Sequence, residues 1–116
     1  MQDQCLKKQS REHFPENKVI YIITNEDNKK NRIYIIGKAK DLADRLATYN
    51  KTTEHQVIYY KGCKTIADMN AIEKVVLIKL EKYKEKANRD RVILPRENDI
   101  SLFTFIIDQC IDFYYM

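Results

Sequence analysis

Arg45 and Glu73 are the residues whose chemistry least suits where the hydrophobic pattern puts them. In DLADRLATYN, Leu42, Leu46 and Tyr49 fall on one helical stripe, and Arg45 lies on it between Leu42 and Tyr49. A guanidinium there needs a partner or an open cleft. Asp41, one turn earlier, offers an i, i+4 pair worth about 0.2–0.5 kcal/mol, with the arginine stem reaching water. The other reading is an arginine aimed at a phosphate, which its planar fork matches; Tyr49, one turn later, brings a hydroxyl towards the same anion. In MNAIEKVVLIKL, Glu73 borders the apolar seam of Ile72, Val76 and Leu80, while Met69, Asn70, Val76 and Leu77, one turn to either side, carry no charge. A half-buried carboxylate is costly unless something neutralises it. Two partners are open: Arg45 from the other helix, or a divalent cation. Mg²⁺ is commonly held by one or two carboxylates together with waters and phosphate oxygens, so a single glutamate suffices, and that pattern suits phosphodiester hydrolysis.

The elements that must position these residues follow from the apolar periodicity. Residues 1–17 show none and carry Pro15 near their end, so they read as a linker or a frayed helix, and 18–116 as the domain. VIYIIT from Val19 and the run from Arg32 to Ile36 are β-branched and aromatic, as strands are. The polar NEDNKKN between them makes a hairpin with a long loop. Gly37 ends the second strand; it either allows a turn of positive φ or lets a phosphate or another backbone approach. Asp41 is the expected N-cap of a helix over Leu42 to Asn50. A third strand, QVIYY, spans Gln56 to Tyr60, and Ile66 to Lys86 is a long helix buried along Met69, Ile72, Val76, Leu80 and Tyr83. Asn98 or Asp99 opens a last helix, apolar over most of its circumference. The order β-β-α-β-α-α predicts an α+β fold, a small three-stranded antiparallel sheet flanked by helices.

Totals narrow the classes. At 116 residues the chain is one domain, long enough to bury a core without crosslinks. Cys5, Cys63 and Cys110 are odd in number and far apart, which argues against a disulfide framework or a zinc knuckle and for reduced thiols in an intracellular compartment. His13 and His55 belong to no ligand pattern. The polar first fifteen residues resemble no secretory signal, and no run is apolar enough to span a membrane. The net charge of +4 and a pI near 8.9 permit nucleic acid as a partner without demanding it. GxxxxGK[ST] is absent, which disfavours a P-loop. Asn88, in EKANRDR, needs no role beyond a helix stop.

Taken together, VIY at Val19 to Tyr21, IIG at Ile35 to Gly37, Arg45 in KAKDLADRL, Glu73 in AIEKVVLIKL, and Asn88 resemble the GIY-YIG nuclease domain over roughly residues 18–88. The spacing within the hairpin and the intervals from Gly37 to Arg45 and from Glu73 to Asn88 carry the likeness. The YxIG form, the IEK and the lysine-rich helix look most like the branch found in phages and large DNA viruses, where a DNA-binding module often lies upstream in a longer chain. Two departures stand out: Val19 replaces the usual glycine, and Ile35 replaces the usual second tyrosine. Tyr34, one residue earlier in a strand, should face the other way. A helical tyrosine one turn after the arginine occurs in repair members of the family, so Tyr49 is the candidate to supply the missing hydroxyl.

The resemblance implies a Mg²⁺- or Mn²⁺-dependent endonuclease acting on DNA. Glu73 would hold the metal, Arg45 would offset charge on the phosphoryl oxygens, and Tyr21 would accept a proton from the attacking water. Asn88 would position a phosphate or a metal-bound water, and Lys38 and Lys40 would hold the DNA backbone. For a viral chain the compartment would be the host cytoplasm or nucleus. The alternative is a catalytically degenerate module of the same fold, kept for binding DNA or protein. The last helix has more apolar residues than one stripe needs, Leu102, Phe103, Phe105, Ile106, Ile107, Ile111, Phe113 and Tyr114, so it either closes the domain's own core or meets a second copy as a homodimer.

Overall fold

The computed structural model describes residues 18–86 and 90–116. The expected linker, 1–17, and Asn88 lie outside them. Strand β1 (Val19–Asn25) is the centre of the molecule and is buried along its whole length until Asn25. Its unbroken apolar run follows from being covered on both faces. Ile20 and Ile22 face one core, and Val19, Tyr21 and Ile23 face the other. Strands β2 (Ile33–Ala39) and β3 (His55–Gly62) flank β1, both antiparallel to it.

The sheet has four strands in the order β3-β1-β2-β4, not three. The fourth, β4 (Arg91–Ile93), pairs with the first residues of β2, Ile33 to Ile35, so from Gly37 onward β2 is paired with β1 alone and its other edge carries no strand. At three residues it is too short to show a β pattern in sequence. The hairpin loop also differs from expectation, because Glu26–Lys30 form a one-turn helix, α1. Asn25 caps it, its side chain accepting from the Asn28 N–H at 2.7 Å.

Helix α2 (Leu42–Tyr49) packs on one face of the sheet through Leu42 and Leu46. Helices α3 (Ile66–Lys79) and α4 (Ser101–Tyr114) cover the other, giving three layers. The expected continuation of α3 to Lys86 does not occur. Leu80 is fully buried, residues Glu81–Tyr83 tighten into a 3₁₀ turn, and the Tyr83 ring meets Phe103 edge-on at 5.6 Å. Lys84 then extends to bridge Val92. Helix α4 buries Phe103, Ile107, Cys110 and Ile111 in the domain's own core and leaves Phe105 and Phe113 exposed. No helix among the described residues is long and apolar enough to cross a membrane.

Candidate functional site

The uncovered end of β2 is where chemistry-bearing side chains from both faces of the sheet meet. An open groove of about 510 Å³ runs there between α2 and α3, lined by Lys38, Lys40, Asp44, Arg45, Thr48 and Asn70 among others. Alternation along β2 sends Lys38 towards α3 and Ala39 towards α2. Asp41 is the N-cap of α2, accepting from the Asp44 N–H at 3.2 Å, as the sequence suggests. With that carboxylate occupied in capping, Arg45 stands exposed at the groove.

Behind Arg45 lies Tyr21, almost fully buried. Its hydroxyl is 3.4 Å from that of Tyr49, so the two tyrosines share a hydrogen bond across the β1–α2 packing. Burial pushes the Tyr21 phenol well above its ordinary range, and Tyr49 adds to the effect. The neighbouring Arg45 charge pulls the other way and is the weaker influence. Tyr21 is therefore held as a neutral phenol in the free protein.

Gly37 does not set a turn. It lies inside β2, opposite Tyr21 in the antiparallel register, with no positive φ. Its role is space: a Cβ built there would stand 2.7 Å from the Tyr21 hydroxyl and 3.0 Å from Cζ. Neither explanation open in the sequence describes it, since the group that approaches is neither a phosphate nor another backbone but the Tyr21 phenol.

Glu73 is half-buried as expected, its side chain 17% exposed, but it is not alone. The Lys38 ammonium reaches it from β2, 3.6 Å from Oε1. The same ammonium donates to Asn70 Oδ1 at 2.8 Å. The protein group that neutralises it is thus Lys38 and not Arg45; it comes from the sheet, where no helix periodicity points to it. Lys40, exposed at the end of β2, lines the groove without such a tether.

Ile35 is buried, and Tyr34 goes to the opposite core, edge-on to Phe103 at 6.3 Å. Neither brings a hydroxyl to the Tyr21 face. A family model, that of the T5orf172 domain, matches residues 18–112. The chain belongs to the T5orf172 domain family. This is a phage-associated domain related to nuclease-like folds. No curated protein and no solved structure gives a significant match.

The T5orf172 match spans every candidate residue, from Tyr21 to Asn88, and with them three that sequence reasoning passed over. Asn70 sits one turn before Glu73 on α3; its only sequence signal was being an uncharged neighbour. Tyr60 pairs with Tyr21 in the β1–β3 register and packs into the same core. His55 is buried beside Tyr49, ring centroids 5.2 Å apart. Its Nδ1 donates to the Thr53 carbonyl at 2.7 Å, so Nε2 accepts from the Asn25 amide at 3.2 Å. This histidine supports the Tyr49 ring, and of these partners only Asn25 is distant in the sequence.

Proposed function

We propose that this T5orf172 domain is a divalent-metal-dependent endonuclease that hydrolyses phosphodiester bonds in DNA, at a site of the GIY-YIG kind. The observation that carries the reading is the groove at the end of β2, lined by Arg45 from one helix and by Lys38 and Asn70 opposite, with Glu73 joined to that lining through its ion pair with Lys38. The family's relation to nuclease-like folds supports it.

Glu73 fits a hard cation, since its half-buried carboxylate already holds a positive charge at 3.6 Å. Bound there, Mg²⁺ or Mn²⁺ supplies Lewis-acid polarisation of the scissile phosphate and stabilisation of the leaving oxygen. Arg45, exposed at the groove, offsets charge that develops on the phosphoryl oxygens. Lys40 and Lys38 contact the backbone phosphates without reading sequence. Tyr21 and Tyr49 form a coupled hydroxyl pair behind Arg45. As a neutral phenol, Tyr21 orients the attacking water by hydrogen bonding; to accept that water's proton it would first have to release its own to solvent, with the Arg45 charge offsetting part of the cost of burying the phenolate.

Plasmid nicking in Mg²⁺ or Mn²⁺ tests this directly, comparing the parent with Glu73→Ala and Arg45→Ala. The expected result is loss of cleavage with the first and a fall of about 10²–10³-fold with the second. Equal cleavage by all three proteins would mean a contaminant and would end the enzyme reading.

A second reading has its own observation. With Ile35 buried and without a hydroxyl, the site departs from the pattern it resembles, and a module that grips DNA without cutting keeps Lys38, Lys40 and Arg45 for that purpose. Salt-dependent retention of DNA without nicking in any divalent cation is the outcome that favours it.

A further inference from the structure

We propose that Asn70 is a second protein ligand of the cation site at Glu73, and that Lys38 is a resident cation holding that site until substrate draws it away. The identity of the metal rests on the nuclease reading above; the geometry does not. Asn70 and Glu73 are one turn apart on α3, so their side chains leave the same face of the helix. The Lys38 ammonium lies 2.8 Å from Asn70 Oδ1 and 3.6 Å from Glu73 Oε1. An ammonium only donates, which fixes the carboxamide with its oxygen, not its nitrogen, towards the charge. Two oxygens from different residues, one anionic and one neutral, thus converge on one positively charged point. Both are hard donors of the kind Mg²⁺ and Mn²⁺ take.

Lys38 is also able to leave. Its side chain is 38% exposed, more than twice the exposure of Glu73, and it lines the same groove as Lys40 and Arg45. A phosphate entering that groove gives the ammonium an anionic partner closer to water. Its departure strips the counter-ion from a half-buried carboxylate, which is unfavourable until another cation replaces it. Metal and nucleic acid therefore strengthen each other's binding, and by linkage the effect is equal in both directions. In the free protein Lys38 keeps the affinity for a divalent ion low.

Direct Mn²⁺ titration of the whole chain, by calorimetry or electron paramagnetic resonance, at low ionic strength and without nucleic acid, tests both halves. Lys38→Met is expected to bind Mn²⁺ at least about tenfold more tightly than the parent. Adding Asn70→Ala to it weakens binding by about tenfold, a typical cost of losing one participant in a metal site. Adding Glu73→Gln abolishes binding. Lys38→Gln serves in place of Lys38→Met should the latter fail to fold, with the same expected sign. Affinity no tighter without the lysine overturns the resident-cation half, and affinity indifferent to Asn70→Ala overturns the ligand. The readout needs no cleavage: a protein that nicks DNA but whose Mn²⁺ affinity ignores both changes loses this proposal and keeps the nuclease reading.

Discussion

The Tyr21 hydroxyl lies over Gly37 so closely that a single added methyl would stand 2.7 Å from its oxygen. Tyr21 is 1% exposed and packed among Val19, Ile23, Ala39, Leu42 and Leu46, so the ring has nowhere to retreat. Gly37→Ala should cost about 1–3 kcal/mol, the usual range for overpacking. Tyr21→Phe removes the atom in closest conflict, so the double variant should recover part of that loss. Urea unfolding of the four proteins of the cycle measures it; additive losses would show that the two positions do not interact in this way.

Alkaline pH should reveal the buried phenol. Burial raises the Tyr21 pKa in the folded protein, with Tyr49 next in importance. The contribution is fully present below the ordinary tyrosine value of about 10 and is lost as pH rises above it, because the unfolded chain releases a proton that the folded one keeps. Tyr59, pushed upward by burial and then by Asp108, adds to the same slope. Stability should therefore fall from pH 9 towards pH 11, and less steeply in Tyr21→Phe. Parallel pH profiles for the two proteins would contradict the assignment.

The sequence was most legible where structure is local. Val19 to Thr24 reads as a strand because β-branched residues line both its faces, and Asp41 reads as a cap because its carboxylate serves an amide three residues away. What escaped depends on contacts between distant segments. β4 is held by β2 and not by its own three residues, and the end of α3 is fixed by Tyr83 meeting Phe103 from another helix. Within the site, helical spacing sets Arg45 and Tyr49 one turn apart on α2. The partner of Glu73 leaves no mark in the helix pattern because Lys38 arrives from a strand, and a glycine after a strand more often makes a turn than clears room for a phenol across the sheet, as Gly37 does.

Arg32 ties the hairpin to the segment leading into α4. With φ at 60° it is one of two non-glycine residues in the left-handed region among those described. Its Nε donates to the Leu94 carbonyl at 3.0 Å and a terminal nitrogen to that of Pro95 at 2.8 Å, with Asn98 accepting as well. Arg32→Ala should lower stability by about 2 kcal/mol, as expected for charge-assisted bonds to partly buried carbonyls. Arg32→Gly loses the same bonds but relieves the backbone, and should be more stable than Arg32→Ala by about 1 kcal/mol. Chemical denaturation ranks the three proteins; glycine falling below alanine would place the strain elsewhere.

Acid should loosen the last turn of α4. Tyr115 and Tyr114 donate to the two Asp68 oxygens at 2.8 and 2.9 Å, joining the end of that helix to the first turn of α3. Hydrogen bonding, from Tyr115 foremost, holds the Asp68 carboxyl below its ordinary value against a smaller opposing effect of desolvation. A depressed carboxylate contributes stability above its unfolded pKa, near 4, and loses it as pH falls through the folded value. Below about pH 4, then, the parent should lose stability more steeply than Asp68→Asn, while at pH 7 the parent should be the more stable. Tyr115→Phe should reduce the acid slope in the same direction, since it removes the leading donor. Unfolding followed by circular dichroism from pH 2.5 to 7 separates the outcomes, and an unchanged acid slope in both variants would mean that the three side chains are not coupled in solution.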